Sequence, residues 1–219
     1  MVGAVLAGLG ACASTASPEL DSVFALVGGN GFGGPVIPVK PDLRYRYLRV
    51  EVEGHPPGML VLGYIDPHPL GPIEVWYSAS REVIKTQNGR IVATAGLKSD
   101  WSAVRFSQGP VSWPQVGAQD ASYERVRDAV SEYRYAVVEQ VQVKSVARVP
   151  DDVLVPSLPL AVAQQYQWFR ETSRHKGEAN LPDAWFAWGK HRGSHDVVYS
   201  VQCLTSDFCL HLQRWPVVD

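Results

Sequence analysis

A basic patch is missing from this sequence. Its 219 residues carry a formal net charge of −2, and Lys and Arg are scattered, which leaves no electrostatic footprint for DNA or RNA. No apolar run reaches the roughly 20 residues needed to cross a bilayer as a helix. G-x-S-x-G, the strained turn that presents a hydrolase nucleophile, does not occur. Neither a βαβ pattern nor an internal repeat can be traced, so a parallel-sheet enzyme fold and a solenoid both lack support. Cysteine is sparse, with Cys12, Cys203 and Cys209 the three present.

What the sequence does have begins at the N-terminus, where Met1 to Ala11 carries no charged side chain. Val5 to Leu9 reads as a short apolar core, and Leu9-Gly10-Ala11-Cys12 resembles the bacterial lipobox, in which the cysteine is lipidated and becomes the first mature residue. Small Gly10 and Ala11 would admit a peptidase, and the Cys12 sulfur is the one good nucleophile nearby. The alternative, a core helix, would be followed by a cap or turn; instead Ala13-Ser14-Thr15-Ala16-Ser17 is small and polar, as a tether is. This predicts a signal segment over 1–11 and a lipidated tether, short helix and linker over 12–42. The helix starts at Ser17-Pro18-Glu19, repeats Leu20, Val23, Phe24 and Val27, and stops at Gly28-Gly29. GGNGFGG matches G-x-G-x-x-G, but Pro35, Pro38 and Pro41 follow where a nucleotide site needs a helix, so it reads as linker. With Cys12 acylated, Cys203 and Cys209 form an even pair, and a disulfide is expected in an oxidising periplasm.

From Leu43 the hydrophobic period becomes two. Leu48, Val50 and Val52 share one face of a strand, with Arg49, Glu51 and Glu53 on the other. IEVWYS and REVIKTQ lead to Asn88-Gly89, the strongest short hairpin signal, and RIVATAGL returns. YAVVEQVQVKSVARV alternates over an unusual length, while SYERVRDAVSEY carries a weak helical period. Short strands with turn signals predict one all-β domain over 43–219, an antiparallel sandwich or an incomplete barrel.

YLRVEVEGHPPGMLVLGYIDP and VWYSASREVIKTQNGRIVATAGLKSDW resemble the capsule-polysaccharide lipoproteins of the YjbF/GfcB type. Tyr64, Trp76, Thr86, Gly89, Arg90, Thr94 and Gly96 carry the resemblance, which is clear over residues 12–106 and departs from the family pattern in the proline-rich loop 66–72. It implies a non-catalytic outer-membrane lipoprotein, held in the bilayer by acylated Cys12 and facing the periplasm. Its role would be that of an accessory to polysaccharide export proteins in capsule or exopolysaccharide assembly, with no cofactor and no metal.

Two other classes remain open. A glycan-modifying enzyme would need converging groups, yet Gly193-Ser194-His195-Asp196 sets its residue types side by side, and Asp151-Asp152 reads as a solvated turn. His191, His195, Cys203, Cys209 and His211 match no common zinc spacing. A carbohydrate-binding module would use exposed indoles; Trp101 and Trp113, in loop-like context, and Trp188 are the candidates for glycan or partner contact.

Overall fold

The computed structural model describes residues 42–116, 120–155, 157–175 and 180–217. The expected N-terminal helix and Cys12 lie outside them. Twelve strands follow in chain order: β1 (Tyr47–Glu51), β2 (Gly58–Asp66), β3 (Ile73–Tyr77), β4 (Val83–Gln87), β5 (Arg90–Ala95), β6 (Trp101–Phe106), β7 (Ala121–Ala129), β8 (Arg134–Val146), β9 (Gln167–Arg174), β10 (Ala184–His191), β11 (Ser194–Thr205) and β12 (Phe208–Trp215). The one α-helix among the described residues, α1, is a single turn at Leu160–Ala163.

All strands join one antiparallel sheet in the order β5-β4-β3-β2-β1-β12-β11-β10-β9-β8-β7-β6. Consecutive strands therefore pair throughout except β5 with β6, and β1 pairs with β12, Tyr47 facing Trp215. The sheet curls until its edges, β5 and β6, stand side by side with no backbone ladder between them: an up-and-down barrel with one seam. Of the two architectures expected, the incomplete barrel is the one observed. Because direction alternates, Asp42, the 88–89 turn and residues 107–116 lie at one rim, called lower here, and the turns at 96–100 and 130–133 at the opposite, upper rim.

The interior is full. Leu48, Val50, Leu60, Trp76, Ile84, Ile91, Trp101, Leu204 and Leu212 pack one part of it. A second part holds Val92, Tyr123, Val141, Val143, Phe169 and Phe186, closed by Trp113 on the 3-10 turn Trp113–Val116. Outside the barrel, residues 147–155 and 157–166, with α1, cover the outer face of β9 to β12, burying Val149, Val153 and Leu158 against Trp168, Tyr199 and Val201. The outward positions of β8 further down are Gln140 and Gln142, both exposed, where a lipid-facing strand would be apolar.

Local sequence explains several elements. Asn88 and Gly89 take φ of +50° and +78° in the two-residue β4–β5 hairpin, as expected of this dipeptide. The weak helical period at 122–133 is overridden: Tyr123, Arg125, Arg127 and Ala129 alternate inward on β7, a register hidden because two of the four inward residues are charged. The Cys203–Cys209 disulfide is formed, between residues directly opposite in the β11–β12 hairpin, with S–S at 1.98 Å.

Gly89 also approaches β11 so closely that a Cβ there would sit 2.5 Å from Val197 Cβ. Gly89→Ala is therefore expected to lose about 2–4 kcal/mol, combining the left-handed backbone cost with overpacking. A urea midpoint equal to that of the wild type would contradict this packing.

Candidate functional site

Of the residues singled out in the sequence, Trp76, Thr86, Arg90, Thr94, Trp101 and Trp113 are buried within the barrel. Trp76 on β3 donates its indole N–H to Thr86 Oγ1 on β4 at 3.0 Å, and the Thr86 hydroxyl donates to Glu74 at 3.3 Å. Glu74 is gripped by both guanidinium nitrogens of Arg214, at 2.6 and 3.1 Å, and by Arg46. Arg214 also meets Asp196 at 2.8 Å, and its guanidinium lies 4.8 Å from the Trp76 ring centre. Burial raises the Asp196 carboxyl above the usual carboxylate range, with Arg214 opposing.

The same combination recurs twice. Arg90, on β5 beside the seam, reaches Glu171 on β9 at 2.7 Å beneath the Trp113 ring, whose centre is 3.8 Å away; Tyr123 donates to the other Glu171 oxygen at 2.9 Å. Burial, and the Glu171 charge after it, push the Tyr123 phenol well above its ordinary value. Arg125 and Arg127 on β7 clasp Glu139 on β8 at 2.6 and 3.0 Å, both guanidiniums lying near Trp101. Burial alone would raise the Glu139 carboxyl, but Arg125 and Arg127 outweigh it and hold it below the ordinary range. Each indole N–H is satisfied: Trp101 by Leu204 O and Trp113 by Asn88 O, both at 3.0 Å.

Trp101 and Trp113 are thus 2% and 1% exposed, which corrects the expectation that they present themselves to a ligand. Their loop-like context concealed long-range partners: Trp101 opens β6 and points across to β11, and Trp113 seals the lower rim. Trp188 is half-buried and stacked on His195 with ring centres 4.8 Å apart. None of the seven tryptophans is exposed.

Gln202 on β11 supplies what the seam lacks. Its carbonyl accepts Ile91 N–H at 2.8 Å and its amide donates to Gly89 O at 2.9 Å, capping the β5 edge from inside. Thr94 accepts Trp101 N–H at 3.0 Å across the seam, and Gly96, at φ +84°, begins the turn that Asp100 closes through the Gly96 and Leu97 amides. Tyr64 is exposed, 6.4 Å ring to ring from Tyr77. Sequence reasoning missed Glu139, Glu171, Arg125, Arg127, Gln202 and Arg214. Charged or amide side chains at strand positions facing inward were their only local signal.

Two crevices in the wall, one beside Arg125 and Glu171 and one beside Thr86, Gly89 and Arg214, hold about 10 Å³ each. That admits one water, whereas ligand sites occupy roughly 300–1,000 Å³. An open cleft of about 490 Å³ lies instead on the outer surface, among Arg148, Leu160, Gln164, Tyr166 and Trp168. Among the described residues, chemistry-bearing side chains elsewhere do not converge. Asp151 and Asp152 sit exposed in a 3-10 turn, and Asp196 turns inward to Arg214 while His195 stacks outside. No grouping of His, Cys, Asp and Glu that would hold a metal occurs among the described residues. His211 is paired with the Tyr199 hydroxyl at 2.7 Å, and burial lowers its pKa.

Since the fold holds Glu139 below the ordinary carboxylate range, the stability it contributes is complete above the unfolded pKa near 4.5 and lost as pH falls through the folded value. Glu139→Gln should cost on the order of 3 kcal/mol at pH 7 by leaving two buried guanidiniums underpaired. The gap from wild type should narrow below about pH 4.5. Denaturant titrations at pH 7 and pH 3.5 check both; a gap independent of pH would contradict the assignment.

Comparison with known proteins adds the following. The family model described as group 4 capsule polysaccharide lipoprotein gfcB, YjbF matches residues 41–166. No curated protein matches. Among solved structures, the hypothetical lipoprotein YmcC from Escherichia coli K12 is similar, with a TM-score of 0.56 and 15% identity over 78% of this chain and 83% of that one. At that identity the likeness shows the fold alone.

Proposed function

This chain belongs to the group 4 capsule polysaccharide lipoprotein family, and from that membership we propose that it is a non-catalytic accessory in the assembly or export of capsule or exopolysaccharide. In this reading Cys12 is acylated, the protein sits on the periplasmic face of the outer membrane, and the residues from 43 onward form a single β domain that meets export proteins with its outer surface. The observation that carries the reading is the family match, which spans β1 to β8 and so includes the hairpin of Thr86, Gly89 and Arg90.

The interior supports an accessory role over a chemical one. Its buried charges are spent on one another, and the crevices beside them hold about 10 Å³ each. What such a barrel offers is shape held rigidly at a membrane, where tethering raises its effective concentration towards other membrane proteins without tight intrinsic affinity. Contact with the polymer itself is assigned to the outer surface.

The test is cell-surface polysaccharide in a strain deleted for this gene and complemented with the wild type or with Cys12→Ser at equal abundance. Wild type should restore the polymer and Cys12→Ser should leave it at the deletion level. Polymer unchanged by the deletion would overturn the proposed role.

A further inference from the structure

Pairing among the buried charges leaves one over. Where β7, β8 and β9 meet, the guanidiniums of Arg90, Arg125 and Arg127 face two carboxylates, Glu139 and Glu171. All five side chains are buried, and Tyr123, which donates to Glu171, is neutral. Three cations against two anions leave this part of the interior one positive charge in excess.

The hydrogen bonds fall short on the same side. Arg125 gives its Nε–H to Glu139 at 2.6 Å, and its two terminal nitrogens have no hydrogen-bond partner among the described residues. Arg90 Nη1 and Arg127 Nη1 are buried and unpartnered as well. Ser173, on β9, is 5% exposed, and its hydroxyl also lacks a partner among the described residues. Arg125, at 9% exposed, and Ser173 both line the crevice of about 10 Å³ beside Glu171, where Val141, Leu181 and Pro182 supply apolar wall. Glu171 and Gln202 border it too, but their oxygens already accept from Arg90, Tyr123 and Ile91. What faces the space is a set of donors without acceptors.

We propose that this crevice binds one small monatomic anion of chloride size, held by the Arg125 guanidinium and the Ser173 hydroxyl. Space sets one limit: about one water's volume has no room for a phosphate or for the carboxylate of a second molecule. Charge sets the other. A cation would add to the excess, and a water would accept from Arg125 while leaving its charge uncompensated, the costly state for a buried guanidinium. A bound anion evens the count at three against three and joins β7 to β9 above the Arg90–Glu171 bridge.

The test is melting of the full chain in detergent, followed by tryptophan fluorescence in about 0.1 M sodium chloride and in sodium gluconate at the same ionic strength. Gluconate is too large for the crevice, and the two salts screen exposed charges equally. For a chloride Kd about tenfold below the salt concentration, wild type should melt roughly 3–6 °C higher in chloride. Arg125→Met, which keeps the Arg127–Glu139 pair and evens the charge count, should melt alike in both salts. Ser173→Ala removes one donor with little risk to folding and should shift less than wild type, so the proposal stays testable if Arg125→Met does not fold. Crystals grown in bromide should show an anomalous peak touching Arg125 and Ser173. A wild type indifferent to the anion, a shift that neither substitution reduces, or a water alone at that position in the bromide crystals would each overturn the proposal. The accessory role stands or falls separately, on the polymer assay.

Discussion

Arg90 leaves β5 beside the barrel's seam and enters the interior, where its charge meets Glu171 on β9 under the face of Trp113. A guanidinium in that position cannot be left alone, since an unpaired buried charge costs several kcal/mol, so β5 and β9 are bound to one relative placement. That link spans the sheet from one edge strand to a strand well inside the other half. With Gln202 capping the β5 backbone from β11, it holds a seam that hydrogen-bond ladders leave open. The pairs Arg214–Glu74 and Arg127–Glu139 repeat the arrangement, each beside a tryptophan whose N–H is already satisfied. Ion pairs of this kind contribute little net stability compared with a well-packed apolar core, but they penalise every other register. Three in one interior make for a barrel that closes one way.

Much of this was legible in the sequence, unevenly. Leu48, Val50 and Val52 announced β1 because its inner face is purely apolar, and Asn88-Gly89 announced its hairpin because the backbone demand of that turn is local. The inward face of β7 was obscured since Arg125 and Arg127 occupy positions where alternation leads one to expect apolar residues; what makes them tolerable, Glu139, lies on the next strand. Arg90 offered no local clue either, its partner being 81 residues away. Trp101 and Trp113 were misjudged for a related reason: each opens or interrupts a loop-like stretch, and their burial depends on Leu204 and Asn88, which only the closed barrel brings near.

The family positions take on physical meaning in this light. Trp76, Thr86, Arg90 and Thr94 are buried, tying β3 to β4, β5 to β9 and β5 to β6, Gly89 turns the β4–β5 hairpin against β11, and Tyr64 is on the surface. The positions that carry the family resemblance are thus largely ones that hold the barrel closed.

The pairing of β1 with β12 sets the two ends of the barrel side by side at one rim, Tyr47 opposite Trp215, while the one break in the ladder falls at the 96–100 turn. Topologically the molecule is a ring whose chemical opening and whose hydrogen-bonding opening are at different places. Joining residue 217 to residue 42 through a short linker and cutting at 96–100 would make the two coincide. The permuted chain would run as an uninterrupted meander, β6 through β12 and then β1 through β5, with every ladder formed between consecutive strands and none severed by the cut.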